Sequence, residues 1–197
     1  MNKFALVSCL LILFHGVVWA DPSATQPLLS SKALEKDGLQ VTVTLAKGAL
    51  AADEPLKFVV EFKNVSKKPF KLLNADGNHY RDWQIRFNKL GPAEGAWGEF
   101  GFNQSGTPKP TVVQLEPGSV LAVPIVLEGS DLPGIARILS GGKQTQLQPG
   151  KYLLAVKMEF RDNAENDPKP ALGYWAGKFT TEPVAFEIAE KTAASRP

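Results

Sequence analysis

From Leu39 to Ile188 the chain keeps returning to one rhythm, an apolar side chain at every second position. In the run 39–45, Leu39, Val41, Val43 and Leu45 share one face, while Gln40, Thr42 and Thr44 share the other. In the run 56–63, Leu56, Phe58, Val60 and Phe62 alternate with Lys57, Val59, Glu61 and Lys63. Successive side chains of an extended chain point to opposite faces, so strict alternation marks a half-buried strand. A helix needs apolar residues at i, i+3 and i+4, which these runs do not supply. Trp83, Ile85 and Phe87 alternate with Gln84, Arg86 and Asn88 in the same way. Tyr152, Leu154, Val156, Met158 and Phe160 line one face of a long strand. Residues 70–73, 111–115, 120–127, 174–179 and 184–188 complete the set.

The punctuation between these runs is that of an antiparallel fold. Pro117-Gly118 suits a type II turn, because proline presets φ and glycine accepts a positive φ. Pro124, inside the run 120–127, points to an edge strand or a bulge, since proline cannot donate to a ladder. Asp131 to Leu139 reads as one short helix, capped by Asp131 with Pro133 in its first turn. About eight or nine strands and at most one short helix give an all-β chain, a sandwich or a barrel.

The segment Leu147-Gln148-Pro149-Gly150-Lys151-Tyr152 opens the long strand. It resembles the approach to the penultimate strand of fibronectin-III and immunoglobulin-like sandwiches, where a corner tyrosine bonds back to the backbone a few residues upstream. The step from Phe58–Asn64 to Lys68-Pro69-Phe70-Lys71-Leu72 resembles that between early strands of bacterial immunoglobulin-like domains. Leu115-Glu116-Pro117-Gly118, Tyr174-Trp175-Ala176-Gly177 and Val184–Ile188 fit the same layout. Over about residues 39–160, the order of Tyr80 and Trp83, Gly95-Ala96-Trp97 and the two Leu-x-Pro-Gly turns is similar to the bacterial intracellular proteinase-inhibitor type of sandwich. The resemblance implies an antiparallel immunoglobulin-like β-sandwich. It points to no protease-binding loop.

Residues 1–20 change the picture of location. Lys3, an apolar run from Phe4 to Phe14 and Val18-Trp19-Ala20 form the charged, apolar and small-residue pattern of a secretory signal peptide. His15-Gly16 interrupts the run well short of the ~20 residues of a membrane span. A lipoprotein reading of Leu6-Val7-Ser8-Cys9 fails because the apolar run continues past the cysteine. Cleavage removes the one cysteine, so the exported chain has no disulfide and its stability must come from its core. The expected location is the periplasm or the exterior, without membrane insertion. Residues 21–38 read as a linker or N-terminal arm, 39–189 as one β-sandwich domain and 190–197 as a disordered tail. A chain of 197 residues suits about one domain and can bury a sizeable core. With 22 Lys+Arg against 20 Asp+Glu it lacks the basic excess of a nucleic-acid binder.

Catalytic chemistry finds little to work with. Any Ser-His scheme must pass through His79, the one histidine left after cleavage. Ser140-Gly141-Gly142-Lys143-Gln144-Thr145 has the outline of a phosphate loop, but Arg137 replaces its first glycine and Gln144 its hydroxyl. Asp76, His79 and Asp82 are a thin set for zinc. Asp162, Asn163, Glu165, Asn166 and Asp167 offer oxygens to calcium without EF-hand spacing, so no metal or cofactor is assigned.

Aromatic residues are the remaining lead. Trp97, Phe100 and Phe102 sit in the Gly/Pro-rich stretch 91–110, and Trp175 stands near the end of the domain. The expectation is a non-catalytic interaction or accessory module that takes a protein or glycan partner through Trp97, Phe100, Phe102 and Trp175. The alternatives are a carbohydrate-binding module using the same rings and a hydrolase or metalloenzyme centred on His79. Export sets the first test: N-terminal sequencing of the native envelope protein should begin at Asp21. Retention of Cys9, with or without a lipid, contradicts the cleavage.

Overall fold

Each long alternating run becomes a strand with its apolar row buried. The computed structural model of the chain describes residues 29–73, 75, 83–91, 97–101, 111–160 and 173–190. These form thirteen strands and one helix. In chain order they are β1 (Leu29–Ser30), β2 (Leu34–Lys36), β3 (Leu39–Leu45), β4 (Ala49–Leu50), β5 (Leu56–Asn64), β6 (Phe70–Leu73), β7 (Trp83–Lys89), β8 (Gly98–Gly101), β9 (Val112–Leu115), β10 (Val120–Leu127), α1 (Asp131–Leu139), β11 (Gly150–Phe160), β12 (Gly177–Thr180) and β13 (Val184–Ile188).

One sheet runs β1-β3-β5-β10, with β2 also beside β3. The other runs β4-β13-β11-β7-β8, with β12 also beside β11. A small third sheet pairs β6 with β9. Every strand pairing is antiparallel except β4 with β13. The fold is an all-β sandwich, and the two large sheets share one core. Phe62 of β5 meets Trp83 of β7 edge-on at 5.5 Å and Phe160 of β11 at 5.7 Å. Pro124 lies in β10, the last of the described strands of its sheet, where a missing N–H costs no ladder bond.

The structure adds four short strands to the expected set: β1, β2, β4 and β8. At two to four residues they are too short to show alternation, and backbone pairing defines them. Part of the expected arm is therefore built into the sandwich. From Leu29 it pairs with β3, and β2 returns through Asp37-Gly38, whose φ angles of 51° and 80° suit a tight hairpin. The helix spans the expected residues, but Ser130 rather than Asp131 occupies its cap. The Asp131 carboxylate instead accepts from the Glu128 N–H. Residues 1–28, on which the expected leader falls, and 191–197 of the expected tail lie outside the described residues.

Strands β12 and β13 are one strand with a bulge. Lys157 faces Thr180 but Leu154 faces Val184, leaving one extra residue between them. Thr181 repairs the ladder: its N–H donates to the Val156 carbonyl and its hydroxyl accepts from the Val156 N–H. Asn64, fully buried, performs a similar repair at the end of β5. Its Nδ2 donates to the carbonyls of Lys68 and Leu115, and its Oδ1 accepts from the Ser66 N–H and hydroxyl.

Tyr152 opens β11 as a corner residue. Its ring is buried and stacked on Phe186 at 5.4 Å, and its hydroxyl donates to the Gln148 carbonyl at 2.6 Å. Burial pushes its ionisation above the ordinary value of 10.0. The folded chain thus holds this proton to higher pH than the unfolded chain, so its contribution is whole below pH 10.0 and is lost as pH rises beyond it. Tyr152→Phe should cost about 1 kcal/mol or somewhat more in a urea melt at pH 7, because the Gln148 carbonyl loses its donor. It should also flatten the alkaline fall in stability relative to wild type. Unchanged melts at both pH values contradict the corner role.

Candidate binding face

Because Trp83, Ile85 and Phe87 are buried, the period of two turns Gln84, Arg86 and Asn88 outward. Strand β8 lies alongside with Arg86 opposite Glu99 and Gln84 opposite Gly101. On the other flank β11 sets Lys157 opposite Gln84, Ala155 opposite Arg86 and Leu153 opposite Asn88. The same alternation puts Trp97 on the side of Glu99.

These residues form a connected group. The Arg86 guanidinium lies 4.9 Å from the centre of the Trp97 ring. Its Nε is 3.4 Å from the Glu99 carboxylate, which is also 3.5 Å from the Lys157 ammonium. Arg86 Nε has no directed hydrogen bond despite this proximity, so the contact with Glu99 is one of charge. Beside it, Gln84 Oε1 and Asn88 Oδ1 are buried without a hydrogen-bond partner.

Energetics separate this face from the core. An exposed ion pair contributes about 0–1 kcal/mol, and a cation over an exposed ring about 0.5–1 kcal/mol. A buried polar atom without a partner costs about 1–3 kcal/mol. The ion pairs and the ring contact of this group therefore add little to folding.

The four aromatic residues expected to share one surface do not do so. Trp97 is half-buried on the outward face. Phe100 belongs to β8 rather than to a loop and faces the helix, where a Cβ on Gly134 would stand 3.1 Å from its ring. Gly98 makes the reciprocal allowance, since a Cβ there would meet Ile138 at 2.6 Å. Trp175 is only 6 % exposed and packs on Phe160 and Phe179, so it is a core residue rather than a displayed one. Backbone bonds tie its segment to β6, with the Trp175 N–H donating to the Lys71 carbonyl and the Lys71 N–H to Gly173. Phe102, the set Asp76, His79 and Asp82, and the cluster 162–167 lie outside the described residues. No group of three metal-binding side chains occurs among the described residues.

Arg86, Gln84 and Asn88 were legible as an outward row. Their meeting with Trp97 and Glu99 depends on the β7–β8 register, for which the sequence carries no local signal.

No protein-family model matches the chain, and no curated protein matches it. Among solved structures it is similar to a β-glucosidase from Erythrobacter marinus, with a TM-score of 0.40 and 12 % identity over 75 % of this chain and 15 % of that one. It is similar to the Listeria innocua β-glucosidase with gluconolactone, at TM-score 0.40 and 12 % identity, over 80 % of this chain and 17 % of that one. The chain spans about a sixth of the length of those enzymes, and a likeness at these scores carries no argument about activity.

The energetic separation is testable. Trp97→Ala and Arg86→Ala should each lower stability by less than about 1 kcal/mol. Trp83→Ala should cost about 3–5 kcal/mol, as for emptying a buried aromatic site. A loss of about 3 kcal/mol from Trp97→Ala makes Trp97 a core residue.

Proposed function

We propose that the chain is an exported, non-catalytic immunoglobulin-like sandwich that engages a protein partner through the outward face of β7, β8 and β11. Strand order supports the architecture. With β3, β5 and β10 as strands A, B and E, and β7, β11 and β12/β13 as C, F and G, the sheets read A-B-E and G-F-C. Strand β8 extends the second sheet beside C, as variable-type domains do, and the corner tyrosine opens strand F. The described residues place no strand beside β10, where D lies in constant-type domains. Export rests on the leader pattern of residues 1–20.

One observation carries the binding role: the Arg86 guanidinium and the Trp97 ring stand together on the outward face, 4.9 Å apart. Tryptophan and arginine dominate binding energy at protein interfaces. Because Arg86 occupies one face of the Trp97 ring, this arrangement favours a protein over a stacked sugar.

A photoreactive side chain at Leu153 in the native envelope should give a discrete protein adduct, and one at Thr42 on the opposite sheet should not. Trp97→Ala should reduce that adduct at least tenfold, about 1.4 kcal/mol, with the melting midpoint nearly unchanged. Equal adducts at both positions, or none at Leu153, contradict this assignment. A heterogeneous adduct removed by glycosidase treatment replaces the protein partner with a glycan.

A further inference from the structure

Beyond the outward face, the end of the sandwich next to Tyr152 holds a concavity of about 310 Å³. That is near the lower end of small-molecule sites, about 300–1,000 Å³. Its apolar part is Ala136 and Leu139 of α1, Leu147 and the Tyr152 ring. Around these stand Lys89, Lys143, Ser140, Gln144, Gln146 and Gln148, with the Gln148 Nε2 donating to the Gln146 carbonyl.

The charge is one-sided. Among the described residues no Asp or Glu lines the cavity, and neither Lys89 nor Lys143 has a carboxylate within ion-pair distance. Lys89 follows the inward parity of Trp83, Ile85 and Phe87 to the end of β7, directly opposite Tyr152. Its ammonium lies 5.7 Å from the centre of the Tyr152 ring, and its stem passes over Gly150. The Tyr152 hydroxyl is committed to the Gln148 carbonyl, and its ring, buried and stacked on Phe186, closes the floor of the cavity. The C-terminal end of α1 brings about half a negative charge, against two full positive ones. Its last turn is already closed by the N–H groups of Ser140, Gly141 and Gly142.

We infer that this cavity binds a small polyhydroxylated anion, with its carboxylate or phosphate held by Lys89 and Lys143 and its hydroxyls by the glutamine amides. The carbon skeleton lies against Leu139, the least buried of the apolar lining residues. A bare inorganic ion uses only the lysines, and a neutral sugar leaves them uncompensated. This site is independent of the Trp97 face, and either can fail without the other.

Calorimetry on the purified exported protein tests the inference with four probes: glucuronate, glucose 6-phosphate, glucose and inorganic phosphate. At low salt, glucuronate or glucose 6-phosphate should bind at least tenfold more tightly than both glucose and inorganic phosphate. Whichever of the two binds better identifies the anionic group. Lys143→Ala, at an exposed rim position, should weaken that binding at least fivefold without moving the melting midpoint. Lys89→Met, which keeps most of the stem over Gly150, should do the same. The inference is overturned if neither charged sugar binds at millimolar concentration, if glucose or inorganic phosphate binds equally well, or if Lys143→Ala binds like wild type.

Discussion

Contact between the two sheets runs through Phe62. Its ring meets Trp83 at 5.5 Å and Phe160 at 5.7 Å, which joins β5 of one sheet to β7 and β11 of the other. Large rings bury the most apolar area per residue, and edge-to-face pairs add about 0.5–1.5 kcal/mol beyond that area. The consequence reaches past stability. Once Trp83 faces Phe62, the parity of β7 is settled, and a slip of one residue would exchange its two faces. Gln84, Arg86 and Asn88 are on the outside because Trp83, Ile85 and Phe87 are needed inside. The candidate binding face is thus set by a packing constraint made on the opposite side of the same strand.

Polar residues then close the places where regular pairing stops. Asn64 holds the turn at 65–68 and the end of β9 together, using both the donors and the acceptor of its amide. Thr181 supplies both partners for Val156 where β12 gives way to β13. Tyr152 fastens the start of β11 to the connection that leads from α1. Each satisfies groups that would otherwise be buried and unpaired, so each contributes more by avoiding a cost than by adding attraction. Helix α1 reaches β8 because Gly98 and Gly134 leave room for Ile138 and Phe100. That contact holds β8 beside β7 and carries Glu99 to Arg86.

Much of the sandwich was legible because alternation is a strong signal over seven residues or more. The buried rows of β3, β5, β7 and β11, the place of Pro124 and the turn at Pro117-Gly118 follow from residue types and spacing, and the corner at Tyr152 from the resemblance to immunoglobulin-like sandwiches. Four short strands, β1, β2, β4 and β8, were not legible, since their neighbours' backbones define them, whereas β6 and β9, at four residues each, carry apolar runs of their own. The site was read less well for the same reason. Composition singled out aromatic rings, but Phe100 is drawn against Gly134 and Trp175 into the core by contacts distant in sequence. Trp97 stays on the surface because it shares the parity of Glu99.

The candidate binding face and the cavity beside Tyr152 both inherit their positions from the inward row of β7. Arg86 stands outside because Trp83 stands inside, and Lys89 ends that row where the core gives out. The most direct measurement is a double-mutant cycle on Phe62→Leu and Trp83→Leu, read by urea denaturation. If the two rings join the sheets, the double variant should lose about 0.5–1.5 kcal/mol less than the two single losses added together. Additivity within about 0.3 kcal/mol would mean that the rings do not meet, and that the parity of β7 has another cause.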